Sequence, residues 1–485
     1  MRSAASTLTS KQTKHTALRL LGASALALTG LAAGAQGNSP YSRYGLGDQM
    51  SGSHVINRGM GGLTAGDADN VDPTGTFNRN YYSHINFSNP ASYSTFLAPP
   101  QRTAGEKKPK AGYGRVLLDV GVAIDSRTLR QPGVADKFTS SEINISYIQL
   151  GIPIRKGWGL VLGLRPLTRV GYQIEESFRA PGVDSLYTEY IGSGGSFLPS
   201  IGTGVAIGSL SLGVNAGYLF GNREVSTTRY FENDSVVYYQ GINKVQTSYG
   251  KLFFNFGAQY LVEFNKDGDK QRVARGKHAR ENYIRFGVNG NIRHKLNALQ
   301  DRTVGTFTLD PNGTLTDTVY KTTDNKGEII YPSSYTFGFV AGGTLEGHGF
   351  WQGGVDVVRS NWDEYRFYGQ TDAVKSNTLV RVGGQLLPAP LSRSLFGRTV
   401  YRAGIALGDD HVTASGRMPY WSATAGLGLP LGHRNNMAKN QQTMLNLAFE
   451  YQNRGNDNNI LKENSFRLSV GLNLSDVWFL KRKYD

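Results

Sequence analysis

The sequence predicts an all-β chain, a transmembrane antiparallel β-barrel of about 14 strands preceded by an irregular N-terminal segment. Three observations carry this. From Tyr113 onward, runs of roughly 10 to 14 residues alternate apolar with small or polar side chains, the period-two signature of strands. The connections between runs alternate between short and long, which separates the two ends of a barrel. The composition, 61 Gly, 26 Tyr, 22 Phe and no Cys in 485 residues, suits strands better than helices.

Residues 1–35 read as an export signal. Arg2, Lys11, Lys14 and Arg19 precede the apolar stretch from Leu20 to Ala33, and Ala33-Gly34-Ala35 supplies a small-x-small cleavage pattern. Past that point no apolar run reaches the ~20 residues of a membrane helix. Apolar residues make up 39% of the chain, which argues against general disorder. Zero Cys excludes disulfide frameworks, Cys-based zinc sites, iron–sulfur clusters and thiol nucleophiles. Of 52 Lys and Arg, 48 remain after the leader, against 37 Asp and Glu. They are scattered except for Lys266 to Arg280, so the expected counter-charge is a membrane surface or lipopolysaccharide and not nucleic acid.

Residues 36–112 form a segment rich in Gly, Asn, Ser and Pro with no periodicity. It contains Ser39-Pro-Tyr-Ser-Arg-Tyr-Gly-Leu-Gly-Asp48, Gly59-Met-Gly-Gly62 and Asn89-Pro90-Ala91. Interspersed aromatics, Tyr41 to Phe96, favour packed irregular structure over disorder.

Residues 113–485 carry the strands. The clearest place Leu445, Leu447, Phe449 and Tyr451 on one face and Asn446, Ala448, Glu450 and Gln452 on the other; Phe466 to Leu474 repeats the pattern. Leu252 to Val262 and Ile284 to Val288 follow it. Weaker runs start near Val116, Ile143, Leu160, Ile201, Leu212, Tyr335, Val355, Leu379, Tyr401 and Trp421. Short turns fall at Arg155 to Gly157, Gly208-Ser209, Glu346 to Gly349 and His433 to Asn440. Long polar connections are expected at Asp125–Thr139, Phe178–Ser196, Asn222–Thr247, Gln300–Pro332, Asn361–Asn377, Asp409–Pro419 and Asn453–Asn464. Lys266–Arg280 and Leu387–Gly397 are longer than the short side should allow.

Alternation alone does not separate a soluble sandwich from a membrane barrel, whose apolar face meets lipid and whose wall must close. The balance is tipped by run lengths near the ~9–11 residues of a tilted span. Aromatics at run ends, Trp158, Trp351, Trp421, Trp478 and Phe479 among them, form a girdle pattern, and the second face is dominated by Gly, Ala, Ser and Asn. The expected location is the outer membrane of a Gram-negative bacterium.

The export signal, the Gly-rich segment ending in Asn89-Pro90-Ala91, the fourteen alternating runs and the chain length resemble the FadL-type outer-membrane channels for hydrophobic compounds. The opening Ser39 to Asp48 and the ending Trp478-Phe-Leu-Lys-Arg-Lys-Tyr-Asp485 look like a divergent branch, similar also to the PorV-like barrels of type IX secretion. The resemblance implies that residues 36–112 fold into the lumen as a hatch with Asn89, Pro90 and Ala91 as its motif. It also implies a lateral gap at a kink in the third strand. Trp158 to Tyr172 is that strand, and Pro166 within it either breaks the pairing or marks the strand end. A hydrophobic pocket would be lined by Tyr81, Tyr82, Phe87, Tyr93 and Phe96, with Arg165, Arg285, Arg402 and Arg467 available to a carboxylate headgroup or engaged with Asp119, Asp356 or Glu450. The chain departs from those channels in its polar long loops, Thr303 to Asp324 above all.

No catalytic or metal chemistry is expected. The eight His residues show no ligand spacing, and no G-x-S-x-G occurs. The glycine clusters from Gly202 and Gly426 lie inside alternating strands with no following helix, so they belong to the wall. Neither enzyme activity, cofactor nor metal is expected. Two functions remain: passive uptake of a fatty-acid-like hydrophobic molecule by lateral diffusion, or service as a non-transport barrel subunit of an outer-membrane secretion or assembly machine.

Overall fold

A computed structural model of the protein describes residues 39–50, 52–69, 83–96, 115–180, 183–232, 238–264, 282–307, 315–345, 349–390, 392–431 and 441–476. The leader, Tyr81, Tyr82, Lys266 to Arg280, Trp478 and Phe479 lie outside the described residues. The rest form a closed antiparallel barrel of fourteen strands. These are β1 Val116–Arg130, β2 Lys137–Arg155, β3 Trp158–Ala180, β4 Val183–Ile207, β5 Leu210–Glu232 and β6 Gln240–Phe264. Strand β7 is Asn282–Asn291 continuing as His294–Phe307, and β8 is Leu315–Tyr331 continuing as Ser334–Thr344. The remainder are β9 Phe350–Ser360, β10 Asn377–Leu387, β11 Val400–Asp409, β12 Pro419–Leu431, β13 Gln441–Arg454 and β14 Lys462–Asp476. Closure comes from β14 on β1, from Lys462 opposite Arg130 to Asp476 opposite Val116. Each of the fourteen runs read from the sequence falls in its own strand.

The alternation faces the way a membrane wall requires. Phe286 (51% exposed) and Phe339 (41%) stand opposite one another on the outer surface. Asp119, Asp356, Asn446 and Ser469 face inward and are fully buried. A soluble sandwich would bury the former and expose the latter. The pattern is that of a wall whose outer surface meets lipid.

Most of the expected long connections are strand. Phe178–Ser196 is the β3–β4 hairpin, and Gln300–Pro332 is the upper half of β7 and β8. The third strand likewise runs on past Tyr172 to Ala180. Above the apolar band these strands carry polar residues on both faces, so the period-two apolar signal fades while main-chain pairing continues. Strands β3 to β6 are 23 to 25 residues long, against 10 to 14 for β9 to β13. The extra residues add on the order of 40 Å of strand at ~3.3 Å each. One side of the barrel therefore stands well above the other. On the opposite end, Leu387–Gly397 leads into a short helix, Leu395–Arg398, in the β10–β11 connection.

Among the described residues the hatch places three short helical pieces in the lumen: a 3-10 turn Pro40–Arg43, helix α1 Val55–Gly59 and a 3-10 turn Pro90–Thr95. The wall's glycines are its seats. Gly204, Gly213 and Gly257 sit in register on β4, β5 and β6 and lie against Asn89 and Pro90. Gly383 and Gly404 receive Met60, and Gly287 receives Ala65. A Cβ on any of these would come closer than 3.0 Å to the hatch, most often to its main chain.

Candidate functional site

The surface where hatch meets wall is the candidate site, and it is built from three kinds of contact. The first is a set of buried acids that hold hatch main chain or hatch histidines. His54 caps α1 by accepting from Ile56 N through Nδ1 (3.1 Å) and meets Asp119 through Nε2 (3.1 Å). Asp119 also accepts from Ile85 N (2.9 Å) and from Asn473 Nδ2. His84 pairs with Asp67 through Nε2 (2.8 Å) and with Asp69 through Nδ1 (3.4 Å). Burial opposes the charged ring of His84, but the Asp67 carboxylate outweighs it and raises the imidazole to about 10. Burial likewise opposes the Asp67 anion, and His84 with Gln352 and Asn57 brings it down to about 2. Asp356 of β9 accepts from the amides of Thr64 (2.7 Å) and Ala65 (3.0 Å). Asn89 caps the Pro90–Thr95 turn through Ala91 N (3.2 Å) and donates to Ala65 O (2.7 Å). That gives the Asn-Pro-Ala motif a structural task inside the hatch.

The second is an ionic cluster toward the open end. Arg127 meets Asp48 (2.6 Å) and Glu463 (2.7 Å), while Arg454 meets Asp48 (2.8 Å) and Asp410 (2.8 Å). Arg467 pairs with Asp125 (2.7 Å) and Glu450 (3.3 Å). Asp48 is thus clamped between two guanidiniums from opposite ends of the barrel sequence. Nothing local in the sequence flags this cluster, because bonded partners such as Asp48 and Arg454 are 406 positions apart.

The third is an apolar cluster. Phe87, Tyr93 and Phe96 pack with Val55, Ile85, Leu117, Tyr147 and Val161, and a Cβ added to Gly159 or Gly202 would come within 3.0 Å of Tyr93. These aromatics fill space; they do not line it. A cavity of about 320 Å³ lies elsewhere, between hatch and wall, bordered in part by Arg58, Arg165, Asn255, Asn289, Asp410 and Arg467, and a wider apolar hollow of about 750 Å³ opens at Phe339, Val355, Val382 and Ile405. Phe87, Tyr93 and Phe96, expected to line a greasy pocket, are buried together in a packed cluster where wall glycines let hatch and wall approach closely.

The four expected arginines do not converge. Arg165 donates to Gly52 O (3.2 Å) and lies over the Phe87 ring, and Arg285 donates to Ala68 O (2.9 Å). Arg402 donates to Gln385 (3.1 Å) and Asn446 (3.1 Å). Arg467 engages one of the expected acids, Glu450. Asp119 and Asp356 serve hatch groups instead.

The wall itself is interrupted beside Pro166. The β2–β3 ladder rises to Ile148 opposite Leu164 and stops there. On its other side β3 keeps its pairing to β4, with a register shift between Pro166 and Thr168. Above the break, the hatch takes the place of β2. Asp48 and Gln49 pair with Arg169 and Thr168, Met50 N donates to Leu167 O (2.9 Å), and Ser39 N donates to Gly171 O (2.8 Å). Glu142 of β2 reaches Arg169 across the break (3.1 Å). Among the described residues, no cluster of His, Asp and Glu has the geometry of a metal site.

Comparisons with known proteins agree with this architecture. A variant of the TodX monoaromatic hydrocarbon channel superposes with a TM-score of 0.50 at 13% identity, covering 88% of this chain and 99% of that one. The toluene transporter TbuX of Ralstonia pickettii gives 0.49 at 11% identity, with 88% and 99% covered. A FadL homologue of Pseudomonas aeruginosa gives 0.47 at 12%, with 88% and 98% covered. At such identities the likeness is one of fold alone, that of a closed antiparallel β-barrel. No curated protein matches the sequence. The family model BamG matches residues 18–485, nearly the whole chain, and the chain belongs to the BamG family.

Proposed function

We propose that this barrel is a non-transport subunit of an outer-membrane assembly machine. The observation that carries the reading is the hatch: glycine seats, buried acids and an ionic clamp fasten it around the lumen, and its aromatic core is packed. A permeation channel for hydrophobic molecules needs an apolar cavity on the way through, whereas the cavity between hatch and wall is bordered largely by charged and amide side chains and the apolar hollow at Phe339, Val382 and Ile405 lies on the exposed outer face. The family name points the same way, to a component of an assembly machine. Catalysis forms no part of the reading. In it, the excess of basic groups faces anionic lipopolysaccharide at the membrane surface.

A second reading, passive uptake of a hydrophobic molecule through the wall, is favoured by one feature, the interrupted β2–β3 ladder at Pro166. The two are separated by purifying the tagged protein at native expression level in mild detergent, alongside its depletion. The machine reading expects stable co-purifying polypeptides and a fall in other outer-membrane barrels on depletion, with fatty-acid and toluene uptake unchanged. A lone monomer carrying a hydrophobic molecule, with uptake lost on depletion, overturns it.

A further inference from the structure

The outer face of β14, β1 and β2 carries three cations in one line. Lys462 stands directly opposite Arg130, and Arg130 directly opposite Lys137. The β14–β1 pairing keeps one register throughout, and the β1–β2 pairing keeps one from Val122 upward, so alternation fixes the direction of the row. Ile124 is 41% exposed on the outer face and Asp125 is 3% exposed on the inner one. Arg130 therefore points outward, with both partners on the same face.

Like charges directly opposite one another are unfavourable across strands, and this row holds two such pairs. Among the described residues the acid that reaches it is Asp457, 3.5 Å from Lys462 and 86% exposed, a pair worth little in water. Arg130 and Lys137 are exposed. Two other exposed cations of the wall are answered by acids: Lys244 meets Glu224 at 2.6 Å, and Lys295 meets Glu328 at 3.5 Å. An anion shared along the row would relieve its repulsion.

Beneath the row the outer face changes in layers. Leu118, Val120, Val122 and Ile124 of β1 lie opposite Leu474, Leu472, Val470 and Leu468 of β14, an apolar band. Two polar rows follow: Ser141 donates to Ser126 at 3.3 Å beside Phe466, then Thr128 and Thr139 meet at 3.4 Å beside Asn464. The cations stand six residues above Ile124, on the order of 15 Å in height at ~3.3 Å per residue and ~40° of tilt. Measured from Phe466, one row higher, the height is still roughly 10 Å. The headgroup layer of a phospholipid is only ~5–8 Å deep, so its phosphate lies below these cations. A glycolipid sets sugar hydroxyls next to its acyl chains and carries phosphate on and beyond the sugars. That order, apolar then hydroxyl then anion, is complementary to the wall here. The β1–β2 turn lies at the end of the barrel that carries the long hairpins, the external end of an outer-membrane barrel.

We propose that Lys462, Arg130 and Lys137 hold the phosphate groups of an outer-leaflet glycolipid, with its sugars on the serine and threonine rows and its acyl chains on the band below. This gives residues to the lipopolysaccharide contact proposed above. It rests on the outer-membrane part of that reading and not on the machine-subunit part.

The test uses the full-length protein in detergent micelles, titrated with fluorescently labelled lipopolysaccharide from the source bacterium. Arg130→Gln, Lys137→Gln and Lys462→Gln together should weaken binding at least tenfold while the heat-modifiable mobility of the folded barrel is kept. Lys295→Gln, Lys321→Gln and Lys326→Gln together remove the same charge from β7 and β8 and should change binding less than twofold. Chemical removal of phosphate from the glycolipid should weaken binding to the wild type at least tenfold. Neither millimolar inorganic phosphate nor phosphatidylglycerol vesicles should displace it. Equal binding by the two triple variants overturns the site, as does equal binding of the dephosphorylated glycolipid or a wild type that binds none. Displacement by inorganic phosphate or by phosphatidylglycerol overturns the glycolipid assignment. All of these leave the subunit reading standing. Recovery of the wild type in the inner-membrane fraction overturns the outer-membrane placement and both readings with it.

Discussion

Gly213→Ala isolates the seat on which the hatch rests. The added Cβ would fall on the Pro90 carbonyl group and on Ala91 N, all closer than 3.0 Å. These are main-chain atoms of a capped 3-10 turn, so no side-chain rotation relieves the clash, and neighbouring Gly204 and Gly257 hold the same turn from either side. Overpacking of this kind costs roughly 1–3 kcal/mol. The usual gain of Gly to Ala in the unfolded chain, about 0.4–1 kcal/mol, does not offset it, because the wall stays folded when the hatch lifts. The docking equilibrium should therefore shift by roughly 5- to 150-fold. Amide exchange of residues 83–96 in detergent micelles reads that shift, since local opening is reported residue by residue. Gly353→Ala is the control: its Cβ would meet only Gly383 O, at 3.7 Å. Equal protection of residues 83–96 in both variants would refute the argument that wall glycines exist to admit the hatch backbone.

The hatch should also respond to pH through His84 and Asp67. His84 is raised to about 10 from 6.5, so its contribution is complete below pH 6.5 and is lost as pH rises through 10. Asp67 is lowered to about 2 from 3.8, so its contribution is complete above pH ~4 and fades as pH falls toward 2. Protease nicking of the hatch should rise on both flanks, and an alkaline flank unchanged by His84→Gln would contradict this. Asp356→Ala leaves the amides of Thr64 and Ala65 buried without their acceptor, at about 1–3 kcal/mol each. Exchange at residues 60–67 should quicken at least tenfold, with the barrel's own melting little changed. On the outer wall, Phe339→Arg should cost about 2–4 kcal/mol of folding stability in a bilayer if that face meets acyl chains. A denaturant titration in lipid vesicles showing no loss would place Phe339 away from lipid.

The wall was legible because a membrane barrel writes its register into the sequence at every second residue. Leu445, Leu447 and Phe449 against Asn446, Ala448 and Glu450 is readable without any long-range information, and all fourteen strands carry some version of it. The upper halves of β3 to β8 were not legible, because a stretch such as residues 317–326 is exposed at nearly every position and its pairing depends on the neighbour and not on its own pattern. The hatch was legible as ordered through its aromatics, but composition does not distinguish an aromatic that lines a pocket from one that fills it. Phe87, Tyr93 and Phe96 turned out to fill. The clamp on Asp48 had no local signal at all, since its partners Arg127 and Arg454 come from the first and thirteenth strands.

The break beside Pro166 and the hatch belong to one arrangement. In hydrocarbon an unpaired main-chain group costs several kcal/mol, so a wall whose β2–β3 ladder stops at Leu164 needs another donor set at that height. Ser39, Asp48, Gln49 and Met50 provide it, and they are the same stretch that Arg127 and Arg454 grip. Withdrawing the hatch would therefore strip hydrogen bonds from β3 and leave two buried guanidiniums without Asp48. Opening the lumen and opening the wall are thus one event with one large cost. A barrel built this way favours keeping its hatch in place and offering its upper surface to partners, and it works against a freely opening passage.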